Sequence, residues 1–109
     1  MCLFCKIVNK EIPSTIILEN EDFLALEDIS PKAPSHILTI PKTHFTSFND
    51  VTPQNMSGMT SFIQEVAKKV KIDKDGYRVI TNIGENGGQE VPHLHFHILG
   101  GKKLSWGNF

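Results

Sequence analysis

Several things are scarce in this chain. Of its 109 residues only two are cysteine, one is tryptophan and one is tyrosine. Two cysteines cannot staple a disulfide-dense scaffold. Neither charge sign is in excess: 11 basic residues against 12 acidic ones leave a formal net charge of −1. No long-range field therefore draws the protein onto nucleic acid or an anionic membrane, and neither is expected as a partner. No apolar stretch approaches the length of a membrane span, and the N-terminus lacks the charged region, apolar run and cleavage site of a signal peptide. Repeats, linkers and low-complexity tracts are missing, so 1–109 reads as a single domain, soluble and expected in the cytoplasm. With 39% hydrophobic and 21% charged residues it is an ordinary globular composition. At this size the surface-to-volume ratio is high, and a homodimer would bury more.

What the chain does have is concentrated between Gly87 and Gly101. Three of its five histidines, His93, His95 and His97, fall at every second position, interleaved with Leu94, Phe96 and Ile98 and bracketed by glycine pairs. Period two is the period of a strand, so the histidines share one face while Leu94, Phe96 and Ile98 share the other, against the core. Lys, Glu, Ser or Thr would serve equally well as solvent-facing filler, so a purely structural reading explains three identical histidines poorly. Two chemistries remain. Paired histidines on a strand can hold a catalytic zinc with an open position for water. Alternatively, an imidazole can itself attack phosphorus and form a covalent intermediate, which needs no metal.

His93-Leu94-His95-Phe96-His97-Ile98-Leu99 resembles the defining motif of the histidine triad (HIT) superfamily, His-x-His-x-His followed by two apolar residues. Gly-Gly-Gln before it, Gly-Gly after it and Trp106 near the C-terminus are similar to the branch of histidine triad nucleotide-binding proteins, which are purine nucleoside phosphoramidases. Phe4 to Pro13, Asp28-Ile29-Ser30-Pro31 and Ile40-Pro41-Lys42-Thr43-His44 match as well, so the likeness covers nearly the whole chain.

Cys2 and Cys5 are spaced Cys-x-x-Cys. Residues alone leave a redox pair, half of a metal site or two unremarkable thiols, and a pair opening the chain is poorly placed for a thioredoxin-like unit. His44 and His93 are candidate completing ligands, although the spacing is not that of a compact zinc finger. The resemblance implies a structural zinc held by Cys2, Cys5, His44 and His93, as in a subset of the superfamily. Alternate residues on a strand lie roughly 6.6 Å apart, so a metal at His93 and a phosphate at His95 can be neighbours without sharing a ligand.

Leu3 to Asn9 reads as a short helix. Thr15 to Leu18 and Phe23 to Glu27 read as strands of a hairpin turning at Asn20-Glu21-Asp22. Pro31 and Pro34 exclude regular helix from the segment that follows, and His36 to Ile40 reads as a third strand stopped by Pro41. Thr52 before Pro53 is a helix start, and Met56, Met59, Phe62, Ile63, Val66, Ala67 and Val70 form one apolar stripe along a long scaffold helix. Tyr77 to Ile83 reads as the fourth strand, and the glycines of 84–88 suit a hairpin loop or a close approach of backbone N–H groups to phosphate. The expected fold class is α+β: a five-stranded antiparallel meander sheet with one long helix and a short N-terminal helix. By resemblance this is HIT-like, pairing across a two-fold axis into a ten-stranded sheet, with a C-terminal tail reaching toward the partner's active site; Leu104, Trp106 and Phe109 are either its contacts or a loosely held apolar end.

The resemblance also implies a site. His95 is the nucleophile, with His97 and His36 completing the catalytic set, and His36 hydrogen-bonding into the triad. Asp28 accepts from both ribose hydroxyls, and Leu3, Phe4, Ile7, Leu26 and Ile29 line an apolar slot for the purine. By residue type alone these five are equally core packing, Asp28 a turn former and His36 a satisfied core histidine. Asn82, Gln89 and His97 are candidates to hold the non-bridging phosphate oxygens. The implied activity is hydrolysis of purine nucleoside 5′-phosphoramidates through a nucleotidyl-histidine, with AMP, GMP or their amidates as ligands and no metal required for catalysis. Alternatives are dinucleoside polyphosphate hydrolysis, a zinc hydrolase using His93 and His95, or a non-catalytic nucleotide-binding regulator. Glu90 departs from the pattern: well-known animal members carry serine there, and an ionised carboxylate accepts hydrogen bonds but donates none.

Overall fold

The computed structural model describes residues 2–107; the expected tail contact at Phe109 lies outside them. Helix α1 spans Leu3–Val8, strands β1 Ile16–Glu19, β2 Phe23–Glu27 and β3 Ser35–Pro41 follow, then helix α2 Pro53–Lys69, and finally β4 Tyr77–Ile80 and β5 Phe96–Gly100. All five strands form one antiparallel sheet in the order β1-β2-β3-β5-β4. The meander is unbroken through β1, β2 and β3. After α2 the chain enters at the far edge as β4 and returns as β5 between β4 and β3.

Local chemistry accounts for the elements. Asn20 closes the first hairpin, its side-chain oxygen accepting from the N–H groups of Asp22 and Phe23 at 2.9 and 2.8 Å. Thr52 caps α2 by accepting from Asn55 N–H at 3.1 Å, with Pro53 at the first helical position. Gly58 lies where α2 crosses β2: a Cβ there would sit 2.8 Å from the Phe23 ring. A glycine costs about 1 kcal/mol in a helix interior, and here it permits close packing.

Alternation splits the apolar residues between two faces. Phe23, Ala25, Ile37, Phe96 and Ile98 pack with Met59, Phe62, Ile63, Val66 and Ala67 of α2 in one buried cluster. Leu24, Leu26, Leu38 and Ile40 pack with Phe4 and Ile7 of α1 in the other. Each fully buried Leu, Ile, Val, Phe or Met among them contributes roughly 1.5–3 kcal/mol. His36 and His97 alternate with Ile37, Phe96 and Ile98, so they project on the α1 side.

Boundaries differ from expectation in four strands: β1 is shifted one residue to Ile16–Glu19, and β3 takes in Ser35 and Pro41 rather than stopping before the proline. Strand β5 begins at Phe96, because the chain before it spends its polar groups elsewhere: Leu94 N–H donates to the Phe45 carbonyl at 2.7 Å, and the His93 carbonyl accepts from a side chain. Strand β4 ends at Ile80 rather than Ile83, and Thr81 turns its hydroxyl to the His95 carbonyl at 2.8 Å. The histidine side of the sheet is also not open to water as simple alternation implies: His93 and His95 are as buried as their apolar neighbours.

Candidate functional site

Two histidine clusters lie side by side on the α1 face. In the first, Cys2 at the N-cap of α1 and Cys5 in its first turn meet His44, just past β3, and His93. Their ligand atoms converge: Cys2 Sγ is 3.6 Å from His44 Nδ1 and 3.3 Å from His93 Nδ1, Cys5 Sγ is 3.2 and 3.5 Å from the same atoms, and the two nitrogens are 3.1 Å apart. Tetrahedral bonds of about 2.0–2.3 Å imply ligand–ligand edges of about 3.3–3.8 Å, so the set fits a tetrahedral metal. Protonation fits as well. The buried His93 places Nε2 2.8 Å from the Pro41 carbonyl, which only an N–H can approach, leaving the Nδ1 lone pair for the cluster. Cys2, Cys5, His44 and His93 could bind a metal; both cysteines are free of disulfide. His95 stands outside this set, which removes the geometric basis for a metal shared by His93 and His95.

The second cluster is His36, His95 and His97. His95 Nδ1 lies 2.8 Å from the backbone carbonyl of His93 and must carry a hydrogen, so in the neutral tautomer Nε2 is the nitrogen with the lone pair. Strand register sets the other two. His36 pairs with Leu99 and Leu38 with His97, making His36 and His97 diagonal neighbours on one face. The Lys32 N–H donates to His36 Nδ1 at 3.0 Å, so a neutral His36 bears its hydrogen on Nε2, and that N–H donates to His97 Nδ1 at 2.9 Å. A neutral His97 then presents Nε2–H as a donor. The Asp28 carboxylate sits 3.4 Å from His36 Nε2 and accepts from Ser30 N–H at 2.7 Å. Asp28, His36 and His97 also have metal-ligand spacing. The tautomer argues against that use, since metal binding at His36 Nε2 would force hydrogen onto Nδ1, against the Lys32 N–H.

Burial favours the neutral form of three of these imidazoles, His36, His93 and His97. Burial, reinforced by the neighbouring His95 and His36, holds His97 down at about 4, against a smaller opposing pull from Asp28. Burial also lowers His36, with Asp28 opposing, and lowers His93 in spite of its bond to Pro41. Burial together with the adjacent Cys2 raises the bare Cys5 thiol.

Both His95 and His97 line a cavity of about 1080 Å³. Of the five residues expected in an apolar slot, Phe4, Ile7 and Leu26 line it while also belonging to the α1-side core. Slot wall and core wall are here the same residues. Leu3 and Ile29 line it too but are 46% and 98% exposed. Asp28, His36 and Asn82 are at the wall, Asn82 with its amide nitrogen donating to the Gly87 carbonyl at 2.8 Å. Gln89 is not among the lining residues: its amide accepts from Gly84 N–H and donates to the Thr46 and Val91 carbonyls, at 2.9, 2.7 and 3.0 Å. It pins the loop rather than facing the cavity. The Phe4 ring, between the two cysteines, stands edge-on to both His93 and His95 at centroid distances of 5.9 and 5.1 Å. That contact, the backbone N–H of Lys32 and the hydroxyl of Thr81 carried no signal in the sequence, because each depends on tertiary placement.

Fold and site together define a small α+β protein with a histidine cluster on the helix-covered side of an antiparallel sheet. A family model for the HIT domain matches residues 9–104, and the chain belongs to that family. It is 55% identical over 103 residues to an uncharacterized HIT-like protein of Helicobacter pylori, spanning 94% of this chain and 99% of that one. Among solved structures it is similar to a HIT family hydrolase from Clostridium thermocellum, with TM-score 0.91 and 42% identity over 95% of this chain and 93% of the other. A hypothetical histidine triad nucleotide-binding protein from Sulfolobus tokodaii aligns with TM-score 0.81 and 32% identity over 91% and 68%.

Proposed function

We propose that this protein is a nucleotide-binding hydrolase that cleaves purine nucleoside 5′-phosphoramidates through a nucleotidyl-histidine intermediate on His95. The observation that carries the reading is the 2.8 Å bond from His95 Nδ1–H to the His93 carbonyl, which holds the ring and selects the tautomer whose Nε2 bears the lone pair. In the reaction His95 Nε2 attacks the α-phosphorus, the P–N bond breaks, and the amine departs with a proton taken from water. A second water then attacks phosphorus, releases nucleoside monophosphate and restores His95. His97, neutral and presenting Nε2–H, donates to a non-bridging oxygen, where charge builds in the transition state. His36 keeps His97 in that tautomer.

The nucleoside end follows from the lining. Asp28 supplies the acceptor for ribose hydroxyls, and Phe4, Ile7, Leu26, Leu3 and Ile29 supply apolar surface for a purine. Asn82 stands at the phosphate side, whereas Gln89 contributes by shaping the loop. The similarity to a HIT family hydrolase and to a hypothetical histidine triad nucleotide-binding protein accords with this chemistry.

We assign the metal site to zinc, whose preference for mixed thiolate and imidazole ligands suits Cys2, Cys5, His44 and His93. Bound there, the ion ties α1 to the segment leading into His95 and supplies no reacting group. Two copies are expected to pair, consistent with the outer position of β4 and the exposure of Val79 on it. A reducing cytoplasm suits free thiols.

The test is release of AMP from adenosine 5′-phosphoramidate by untreated protein, by chelator-treated protein verified to be folded, and by His95→Ala. Activity that survives metal removal and disappears with His95 supports the reading. Activity in His95→Ala refutes it.

A further inference from the structure

The cavity is a strange one for a phosphate ligand if its charge is counted. Glu27, Asp28 and Glu90 bring three carboxylates and Lys32 one ammonium, a formal balance of −2 (one minus three). Phosphate there meets neutral donors, imidazole and backbone N–H groups, rather than a basic pocket. A negative wall disfavours ligands with several phosphate charges and favours a singly charged phosphorus centre joined to something positive.

Glu90 is the carboxylate best placed to choose what that something is. Asp28 accepts from Ser30 N–H and is assigned to the ribose, and the proposed nucleoside end of the cavity belongs to α1 and the end of β2. Sheet order puts β2 on one side of the β3–β5 histidine pair and β4 on the other. The wall beyond the phosphate is therefore the loop leaving β4, where Asn82, Gly87, Gly88 and Glu90 line the cavity. That loop is fixed: Gly84 and Gly88 take positive φ of 67° and 77°, Asn82 holds Gly87, and Gln89 spends its amide on three backbone groups. With Gln89 turned into the loop, its neighbour Glu90 lines the cavity, exposed, and among the described residues nothing pairs with its carboxylate.

We propose that Glu90 selects the leaving group: the protein favours nucleoside 5′-phosphoramidates whose amine portion carries a further positive charge, such as a diamine joined through one nitrogen. The inference rests on the phosphoramidase reading and narrows its substrate class. Overall, the amidate monoanion and one water give the nucleoside monophosphate dianion and an ammonium ion. The P–N bond breaks, one P–O bond forms, and no redox partner is needed. The retained charge on the amine's far end is what Glu90 attracts. An exposed, screened pair supports a preference of about two- to fivefold in kcat/KM, smaller at high salt.

The experiment uses three adenosine 5′-phosphoramidates of similar length, made from 1,4-diaminobutane (cationic end), pentylamine (neutral) and 4-aminobutyrate (anionic). Comparing kcat/KM ratios between proteins cancels the intrinsic reactivities of the amines. The cationic-to-neutral ratio is expected to fall about two- to fivefold from the natural protein to Glu90→Gln, and further in Glu90→Lys, which should instead favour the anionic compound. The difference should shrink in 0.5 M salt, as screening requires. Equal ratios in all three proteins would overturn the assignment of Glu90 while leaving the phosphoramidase reading intact. Failure of the folded natural protein to hydrolyse any of the three would overturn that reading, and this inference with it.

Discussion

His93 and His95 are joined by a hydrogen bond that serves two sites at once: the buried His93 offers its ring to the Cys2, Cys5 and His44 cluster and its backbone carbonyl to His95 Nδ1–H at 2.8 Å. The cluster that could bind a metal and the imidazole proposed as nucleophile therefore meet in one residue without competing for the same atom.

Removal of the metal is expected to lower stability more than it changes the chemistry. A bound ion ties α1 to the segment at 93 by linkage that is lost with a chelator or in Cys5→Ser. The expected loss is at least about 2 kcal/mol, roughly 10 °C in Tm for a domain of this size. The check is thermal unfolding with and without chelator, alongside metal content. An unchanged Tm in protein shown to have lost its metal would contradict a structural role.

Acid should destabilise the fold through His97. Its folded value of about 4 lies below the ordinary value of 6.5, so the unfolded chain binds a proton that the folded chain refuses. The stability this group contributes is complete above pH 6.5, is lost as pH falls through 4, and changes no further below that. The loss amounts to on the order of 2 kcal/mol. His36 and His93, also lowered, add in the same direction. In denaturant titrations, His97→Gln should flatten the slope between pH 6.5 and 4 by up to one proton; an unaltered slope would remove His97 from the account.

Gln89→Ala should act on the loop. Three backbone hydrogen bonds depend on this amide, and their loss is expected to cost about 1–2 kcal/mol, seen as a drop in Tm of several degrees. Gln89→Glu, which keeps the acceptor for Gly84 but sets an oxygen against the Thr46 and Val91 carbonyls, should be at least as destabilising. A fully stable Gln89→Ala with impaired phosphate binding would instead mean that the amide leaves the loop to reach the ligand.

Much of this was legible in the chain because the signals are local. The stripe from Met56 to Val70, the Thr52-Pro53 start and the Asn20 turn each depend on a few neighbouring residues, and each element stands where those residues put it. Alternation in β5 likewise put Phe96 and Ile98 against α2 and His97 on the other face. The placement of β5 between β3 and β4 was not legible, since strand order is decided by pairing across the α2 crossover. Nor was the start of β5, because whether the His93 carbonyl joins a ladder or accepts from His95 depends on tertiary room. Gln89 looked like a phosphate ligand for the same reason: an amide beside glycines suits a ligand or a loop equally, and only the surrounding carbonyls decide. Phe4, Ile7 and Leu26 could not be divided between core and cavity because they belong to both.

The most direct measurement is mass spectrometry of protein quenched during turnover of adenosine 5′-phosphoramidate. The account predicts transient addition of one adenylyl group, mapped to His95 and missing in His95→Ala, with AMP release depending on the same residue. AMP release from the natural protein with no adduct on any histidine, or release by His95→Ala at a comparable rate, would contradict nucleophilic catalysis by His95.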